Sequence, residues 1–600
     1  MKLSDYVATF LAEQGISHVF AITGGASLHL IHSIADSQHN IDYVCPQHEQ
    51  AGAMAADAYS RVTGKIGAAI ATSGPGATNM ITGICCAYYD SIPVLYITGQ
   101  VSTFRFKGET GVRQLGFQET DIVNICKPIT KYCVLLKDPL RVKYELEKAC
   151  WLANHGRHGP VLIDIPDNIQ REEIDVESLV GFSPSNEGYS LPRKKLPGEK
   201  IKNCVKLITE AKRPVVVLGV GVKLAKAENQ ALNFIERVGA PVLLTWGALD
   251  ILPSNHNFFA GTFGTHGTRY GNFTIQNADF VLSIGSRLDT HEVGSPFTSF
   301  ARNAKKVMVD IDISEIMKFH SFGVEIDIEI LADAKDFLEN ANRYIEDNKD
   351  NINFPDISVW YRTVKKWKKS YPIVHAEYYI EKSLNPYVFV KTLSDSADRN
   401  SIFVVDTGNS IAWMSQAFEI KKGQQYFHAF NNTPMGYALP AAIGAAIGAP
   451  NRNVICVTGD GGLQMNLQEL ATVIRQKLPI KIFLFNNHGY SMIKQTQDQW
   501  LNSKYIGSSV KGGLAFPDFF ELAKIYGFYT ITISENLNLK EKIDQCLSYE
   551  GPVFVNLEIS PDARVIPQVK YGRPIEDAEP LLPRDIFHNE MIIEAMDVSK

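Results

Sequence analysis

The sequence predicts an α/β protein built from three doubly wound parallel-sheet domains. Three observations predict it. Short apolar runs such as Val215-Val216-Val217-Leu218 and Val454-Ile455-Cys456-Val457 have the length of buried parallel strands. Amphipathic helical patterns alternate with these runs, which is the grammar of strand-helix-strand units. Finally, 600 residues at 45% hydrophobic exceed what one core absorbs, so three or four domains are expected. The segments fall at 1–175, 191–345 and 375–570. Two polar stretches, 176–190 and 347–371, read as linkers. A charged, proline-spotted tail, 571–600, is assigned no fold.

Composition excludes several classes of function. A net charge of −6, spread without long runs, gives no reason to expect nucleic acid or an anionic membrane as partner. The nine cysteines include no CxxC pair and lie mostly in apolar runs, which fits free thiols in a reducing cytoplasm. Met1 to Phe20 carries Asp5 and Glu13 inside a helical pattern and is not a signal peptide. The uncharged stretch Pro434 to Asn451 is broken by Pro440, as expected of a packed helix rather than a membrane span.

In the first segment a strand, Ile41 to Cys45, leads through Pro46-Gln47-His48 to Glu49, which opens the helix Gln50 to Arg61. The helix dipole favours a carboxylate there, so capping is the plainer reading of Glu49 from the residues alone. In the third segment Asp460 sits just past the strand Val454 to Val457. A helical pattern from Leu467 to Gln476 follows, Pro479 ends it, and the strand Ile480 to Phe485 runs into Asn486-Asn487. The right-handed crossover puts Asp460 and Asn487 at carboxyl ends of parallel strands, where open sheets bind ligands. A carboxylate and a carboxamide are hard oxygen donors, suited to Mg²⁺ or Ca²⁺ completed by phosphate oxygens. The plainer alternative is a Gly-Asp-Gly-Gly turn beside an unrelated asparagine pair.

Gly459-Asp460-Gly461-Gly462, followed one strand-helix-strand unit later by Asn486-Asn487, resembles the signature of thiamine-diphosphate enzymes. The resemblance implies that Asp460, Asn487 and the backbone carbonyl of Gly489 hold Mg²⁺ on the diphosphate. His48-Glu49-Gln50, followed by small residues, resembles the turn whose glutamate shares a proton with the cofactor's aminopyrimidine, a task that a desolvated carboxyl suits. Gly24-Gly25-Ala26, Thr72 to Asn79, Asp90-Ser91-Ile92-Pro93 and Phe117-Gln118-Glu119-Thr120 are similar to one branch, the acetohydroxyacid (acetolactate) synthase family. By that likeness Gly25, Phe117 and Gln118 belong to the reaction pocket. Met435-Gly436-Tyr437 resembles the glycine-rich cofactor segment, with Met435 or Met492 as the apolar wedge that bends thiamine.

The middle segment resembles the family's FAD-holding loops at Gly219-Val220-Gly221, Gly264-Thr265-His266-Gly267-Thr268, Gly285-Ser286-Arg287 and Asp310-Ile311-Asp312. The alternative is a vestigial domain that has lost FAD. The likeness covers residues 1 to about 560. It implies a homodimer or homotetramer, with the cofactor between the first domain of one subunit and the third of its partner.

Three positions depart from the family pattern. His291 stands where the synthases carry an arginine for the second oxoacid's carboxylate, and Thr496 where they carry a tryptophan. The stretch between Gln100 and Gln118 is longer and brings Arg105, Lys107 and Arg113, a solvated basic loop on the plainer reading and otherwise cations suited to phosphate. These changes resemble the synthase-like enzymes of surface-polysaccharide pathways. The expectation is a carboligase that decarboxylates pyruvate and transfers the two-carbon acyl-anion unit to a ketone acceptor, a 4-keto sugar nucleotide. The alternative is the catalytic subunit of an acetolactate synthase. A flavin-dependent pyruvate oxidase and an inactive regulatory paralogue stand behind these two.

Overall fold

A computed structural model describes residues 1–36, 41–189 and 196–600. It contains three wholly parallel sheets. The first has six strands in the spatial order Asp42–Val44, His18–Ala21, Gly67–Ala71, Val94–Gln100, Val161–Pro166, Tyr132–Leu135. The third repeats that order with Gln425–Phe427, Ser401–Val405, Asn453–Gly459, Lys481–Asn486, Val553–Glu558 and Tyr529–Ile533. The central sheet has five strands: Ile328–Leu331, Lys305–Asp310, Phe280–Ile284, Pro214–Leu218 and Val242–Leu244. In each sheet the chain reverses its direction of winding between the first and third strands, and a crevice opens there at the carboxyl ends. Those crevices carry Thr72 to Gly76, Gly219 with Gly285, and Asp406 with Asp460.

The small residues after Glu49 have a packing cause. The helix Glu49–Thr63 lies against the helix Ala438–Gly448 of the third domain, so closely that a Cβ on Gly444 would collide with the carbonyl of Ala55. Charges cross the same boundary. Arg61 binds Asp57 at 2.9 Å and Asp90 at 2.8 Å, both carboxylates buried and the Arg61 side chain 8% exposed, and Asp57 also accepts from the Tyr437 hydroxyl. Asp90 in turn accepts the backbone N–H groups of Phe430 and Asn431, each at 3.0 Å. The first domain is thereby keyed to the third within one chain.

Several expectations are corrected. The stretch 347–371 is no linker: it holds the helix Ser358–Ser370, whose Trp360 and Trp367 are buried in the core of the central domain. Its many lysines mask a two-tryptophan apolar stripe. Nor is the tail loose. Glu576, fully buried, accepts from Gln276 at 2.6 Å and from Arg302 at 2.7 Å, and the helix Arg584–Glu590 buries Phe587. The buried charge of the tail is satisfied by the central domain. The helix expected over Leu467 to Gln476 is shorter, Glu469–Arg475, and a separate turn of helix, Asp460–Met465, starts on Asp460 itself. All nine cysteines are free; Cys45, whose apolar run read as burying it, is exposed. Ser190 and Leu191, expected to end the first linker and open the second domain, lie outside the described residues. Among the described residues no helix is long and apolar enough to cross a membrane.

Candidate active site

Asp460 and Asn487 are both buried at the carboxyl ends of adjacent strands of the third sheet. Burial pushes the Asp460 carboxyl up to about 6, although its oxygens accept the N–H groups of Gly489 at 3.0 Å and Gly461 at 2.6 Å. With the Asn487 nitrogen donating to Ser491 Oγ at 2.7 Å, the Asn487 amide oxygen faces the Gly489 carbonyl at 2.6 Å and Asp460 Oδ2 at 3.2 Å. Three oxygens so close repel one another. Rotating the amide would remove the clash, but a cation seated among the oxygens removes it without rotation. One carboxylate, one carboxamide and one carbonyl are the hard donors that Mg²⁺ takes, so the residues present fit that ion.

The surrounding glycines are required by contact. A Cβ on Gly461 would collide with the Tyr490 ring and come within 2.8 Å of Met435 Cε. One on Gly462 would lie 2.5 Å from Asp406 Oδ2, whereas Gly459 has more room, 3.4 Å to Ser410 Oγ. Asp406 itself escaped sequence reasoning. It is buried, with its carboxyl pushed up to about 6 by burial, and it accepts from Thr458 Oγ1 at 2.9 Å and Gly436 N at 3.1 Å. It thus pins the Met435-Gly436 loop against the Asp460 strand. Its only sequence signal was a carboxylate directly after a strand.

Glu49 is free of the capping role. The helix is capped by His48, whose Nδ1 accepts from Gln50 N at 3.1 Å. Glu49 Oε2 accepts instead from Asn79 Nδ2 at 2.9 Å, and a Cβ on Gly76 would lie 3.4 Å from Glu49 Oε1. Gly25 opens an exposed turn beside this crevice, with no described residue within 4 Å of where its Cβ would stand. Gln118 adopts a φ of +64° against Gly74, and Phe117 is 85% exposed. The first domain therefore presents Glu49, Gly25, Phe117 and Gln118 along one rim.

A cavity of about 490 Å³ opens at the switch point of the central sheet. It is lined by Trp246, His266, Gly285 to Arg287, His291 and Glu292, and by Thr407, Gly408 and Met492 of the third domain. None of the four rim residues of the first domain lines it. A smaller chamber of about 80 Å³ adjoins, shares Val220, Gly285 and Arg287 with it, and ends on Asp310. Burial pushes the Asp310 carboxyl up to about 6. Among the described residues nothing accepts from the buried Trp246 Nε1 of the larger cavity, while Arg287 Nε lies 3.4 Å from Glu315 Oε1.

The structure gives other central-domain candidates different employment. Asp312 caps a helix through Ser314 N at 2.9 Å and pairs with Arg157 at 2.8 Å, so it is spent on joining domains. Gly219 and Gly221 interlock with Gly285, Gly221 N donating to Gly285 O at 2.9 Å. Gly264 and Gly267 admit close backbone turns against His291 and Phe263.

On the acceptor side, His291 and Met492 face the cavity. Thr496 lies one helical turn beyond Met492, its hydroxyl donating to the Met492 carbonyl at 3.2 Å. Arg105, Lys107 and Arg113 lie on a separate loop of the first domain and do not line this cavity. Glu119 organises that loop by accepting the N–H groups of Lys107 at 2.8 Å and Leu115 at 3.0 Å, while the Lys107 ammonium donates to Arg113 O at 3.2 Å. Arg105 stacks over Phe104 at 5.5 Å.

Twin six-stranded parallel sheets, one carrying Glu49 and the other Asp460 with Asn487, and a third sheet between them in the chain, have the layout of a thiamine diphosphate enzyme. The chain matches the N-terminal TPP binding domain of thiamine pyrophosphate enzymes at residues 1–125, their central domain at 201–341 and their C-terminal TPP binding domain at 406–557. It is 32% identical over 568 residues to the acetolactate synthase large subunit of Cyanidium caldarium, covering 94% of each chain. A probable acetolactate synthase large subunit of Methanocaldococcus jannaschii is 34% identical over 587 residues, covering 95% of this chain and 94% of the relative. Acetolactate synthase 2, chloroplastic, of Nicotiana tabacum is 33% identical over 586 residues, or 96% of this chain and 85% of the relative. The chain belongs to the acetolactate synthase large-subunit family, thiamine diphosphate enzymes that form carbon–carbon bonds.

Proposed function

We propose that this enzyme decarboxylates pyruvate and joins the two-carbon unit to a second 2-oxoacid, as the names of its relatives suggest. The observation that carries the donor half is the convergence of the Asp460, Asn487 and Gly489 oxygens. They would hold Mg²⁺ and, through it, the diphosphate. Thiamine diphosphate, when bound, supplies the carbon nucleophile and the electron sink for decarboxylation. Glu49, its Oε2 fixed by Asn79, would exchange a proton at Oε1 with the cofactor's aminopyrimidine. Phe117 and Gln118 would exclude water from the reacting carbon, and Met435 or Met492 would support the cofactor from below. Because no first-domain rim residue reaches the central cavity of its own chain, the complete site is proposed to form across a homodimer or homotetramer. The exposed Phe104, Leu115 and Phe117 suit such a contact.

The central cavity and its side chamber suit FAD in a structural role. Trp246 Nε1 offers a donor with no acceptor among the described residues, Arg287 a guanidinium ion-paired with Glu315, and Asp310 a carboxyl at the far end. His266 and the glycine turns shape the wall.

One observation favours a second reading of the acceptor. His291 is held neutral by burial and supplies no fixed cation for a carboxylate. A bulkier ketone, such as a 4-keto sugar nucleotide held at its phosphates by Arg105 and Arg113, fits that feature. The deciding experiment gives the pure protein pyruvate, 2-oxobutyrate and a 4-keto sugar nucleotide together, with mass spectrometry of the products. Acetohydroxyacids alone support the first reading, and a branched sugar nucleotide supports the second. No pyruvate consumption would overturn both.

A further inference from the structure

The acceptor wall of the cavity is tied to the C-terminal segment by a chain of directed hydrogen bonds. Gln499, on the helix that carries Met492 and Thr496, donates from Nε2 to Gln568 Oε1 at 3.1 Å. With Oε1 so engaged, Gln568 turns its Nε2 to His266 Nε2 at 2.9 Å and, having no lone pair to accept with, donates there. A histidine nitrogen that accepts carries no proton, and a neutral imidazole keeps its single proton on the other nitrogen. His266 is neutral: burial holds it far below the ordinary histidine range, at about 3. Its proton is therefore on Nδ1, which lies 2.8 Å from His291 Nε2. His291 accepts there, and burial keeps it neutral as well, so its own proton is on Nδ1. No described residue accepts from that nitrogen.

Geometry makes the chain stiff. The two imidazoles are inclined by 23° with centroids 5.1 Å apart, and Trp246 packs on His291 with ring centroids 4.6 Å apart. Thr265 N donates to His291 O at 2.8 Å, coupling the two histidine loops again through the backbone. Gln568 is itself held by reciprocal backbone hydrogen bonds with Glu579, at 3.1 and 2.7 Å.

We infer that Gln568 sets the tautomers of His266 and His291, so that His291 meets the cavity as an uncharged Nδ1–H donor recognising a carbonyl or hydroxyl oxygen of the acceptor. Gln568 is a positioning residue, acting through two histidines, and His291 is the specificity determinant. The acceptor is selected by a neutral oxygen rather than by a carboxylate clamp. This rests on the carboligase reading for the word acceptor, but the tautomers do not depend on it.

The test inverts the relay. In Gln568→Glu the carboxylate accepts from His266 instead of donating, so His266 must carry its proton on Nε2 and accept from His291 at Nδ1. His291 then offers the cavity a bare nitrogen. The expected result is an apparent acceptor KM raised by roughly three- to tenfold, the weight of one neutral hydrogen bond, with kcat for pyruvate consumption retained. Gln568→Leu, which only frees the tautomers, should give a smaller rise. The direct readout is the ¹⁵N spectrum of histidine-labelled protein, with His266 and His291 assigned by their loss in His266→Asn and His291→Asn. Nδ1–H tautomers for both in the wild type, and Nε2–H tautomers in Gln568→Glu, support the relay. Nε2–H tautomers in the wild type, or an unchanged acceptor KM in Gln568→Glu, would overturn it. A parallel fall in kcat and cofactor binding would make Gln568 merely structural and overturn it too. If the wild type consumes no pyruvate, the carboligase reading fails while the spectrum still decides the tautomers.

Discussion

The proposed cation end and the proposed acceptor end of this enzyme occupy the same kind of place and are built in opposite ways. Both lie at the carboxyl ends of parallel strands where the winding reverses. The cation end comes from one domain and one stretch of chain, from Asp406 to Gly489, locked by Asp406, Tyr490 and obligatory glycines. The acceptor end takes Trp246, His266 and His291 from the central domain, Met492 from the third, and its orientation from Gln568 in the C-terminal segment. A compact, over-determined end suits the step common to the family. An end assembled from several segments can be altered one side chain at a time, which is where His291 and Thr496 depart.

That contrast orders the expected effects. The largest concerns Glu49, which serves the donor half alone. Glu49→Gln should retain thiamine diphosphate and lose about two to four decades of pyruvate turnover, measured by CO₂ release, the range for lost proton transfer. Near-normal turnover would remove Glu49 from the mechanism. Next comes the joint between the domains. Arg61→Ala strands the buried carboxylates of Asp57 and Asp90 and should destabilise the fold by about 3–5 kcal/mol in denaturant titration. A loss below about 1 kcal/mol, typical of an exposed pair, would show that this network does not hold the domains. The smallest effect belongs to the acceptor end. Restoring a cation and an indole with His291→Arg and Thr496→Trp should raise preference for 2-oxobutyrate by about one to two decades, since a charge-assisted pair is worth roughly 1.5–3 kcal/mol. Product ratios from mixed acceptors measure it, and an unchanged ratio would separate His291 from acceptor choice.

The same contrast explains what was legible in the sequence. Asp460 and Asn487 could be placed because a strand end and a crossover unit fix position from local pattern. Glu49 could be placed too, but its freedom from capping could not, because that depends on the His48 ring turning back to Gln50. The tail and the stretch 347–371 were misread because their charges are satisfied across long sequence distances, Glu576 by Gln276 and Arg302, and Glu590 by Lys366 and the Trp367 indole. Asp312 looked like a ligand for the same reason: nothing local announces Arg157 as its partner. Gln568 carried no signal, since tautomers are set by bond direction and sequence encodes only neighbours.

The central claim is that Asp460, Asn487 and Gly489 form the cation seat on which cofactor binding depends. Calorimetric titration of thiamine diphosphate, with and without Mg²⁺, on the wild type and on Asp460→Ala tests it most directly. The account predicts Mg²⁺-dependent binding by the wild type and loss of that binding in Asp460→Ala, with the fold retained by circular dichroism. Unchanged, Mg²⁺-dependent affinity in Asp460→Ala would place the cation elsewhere and contradict the account.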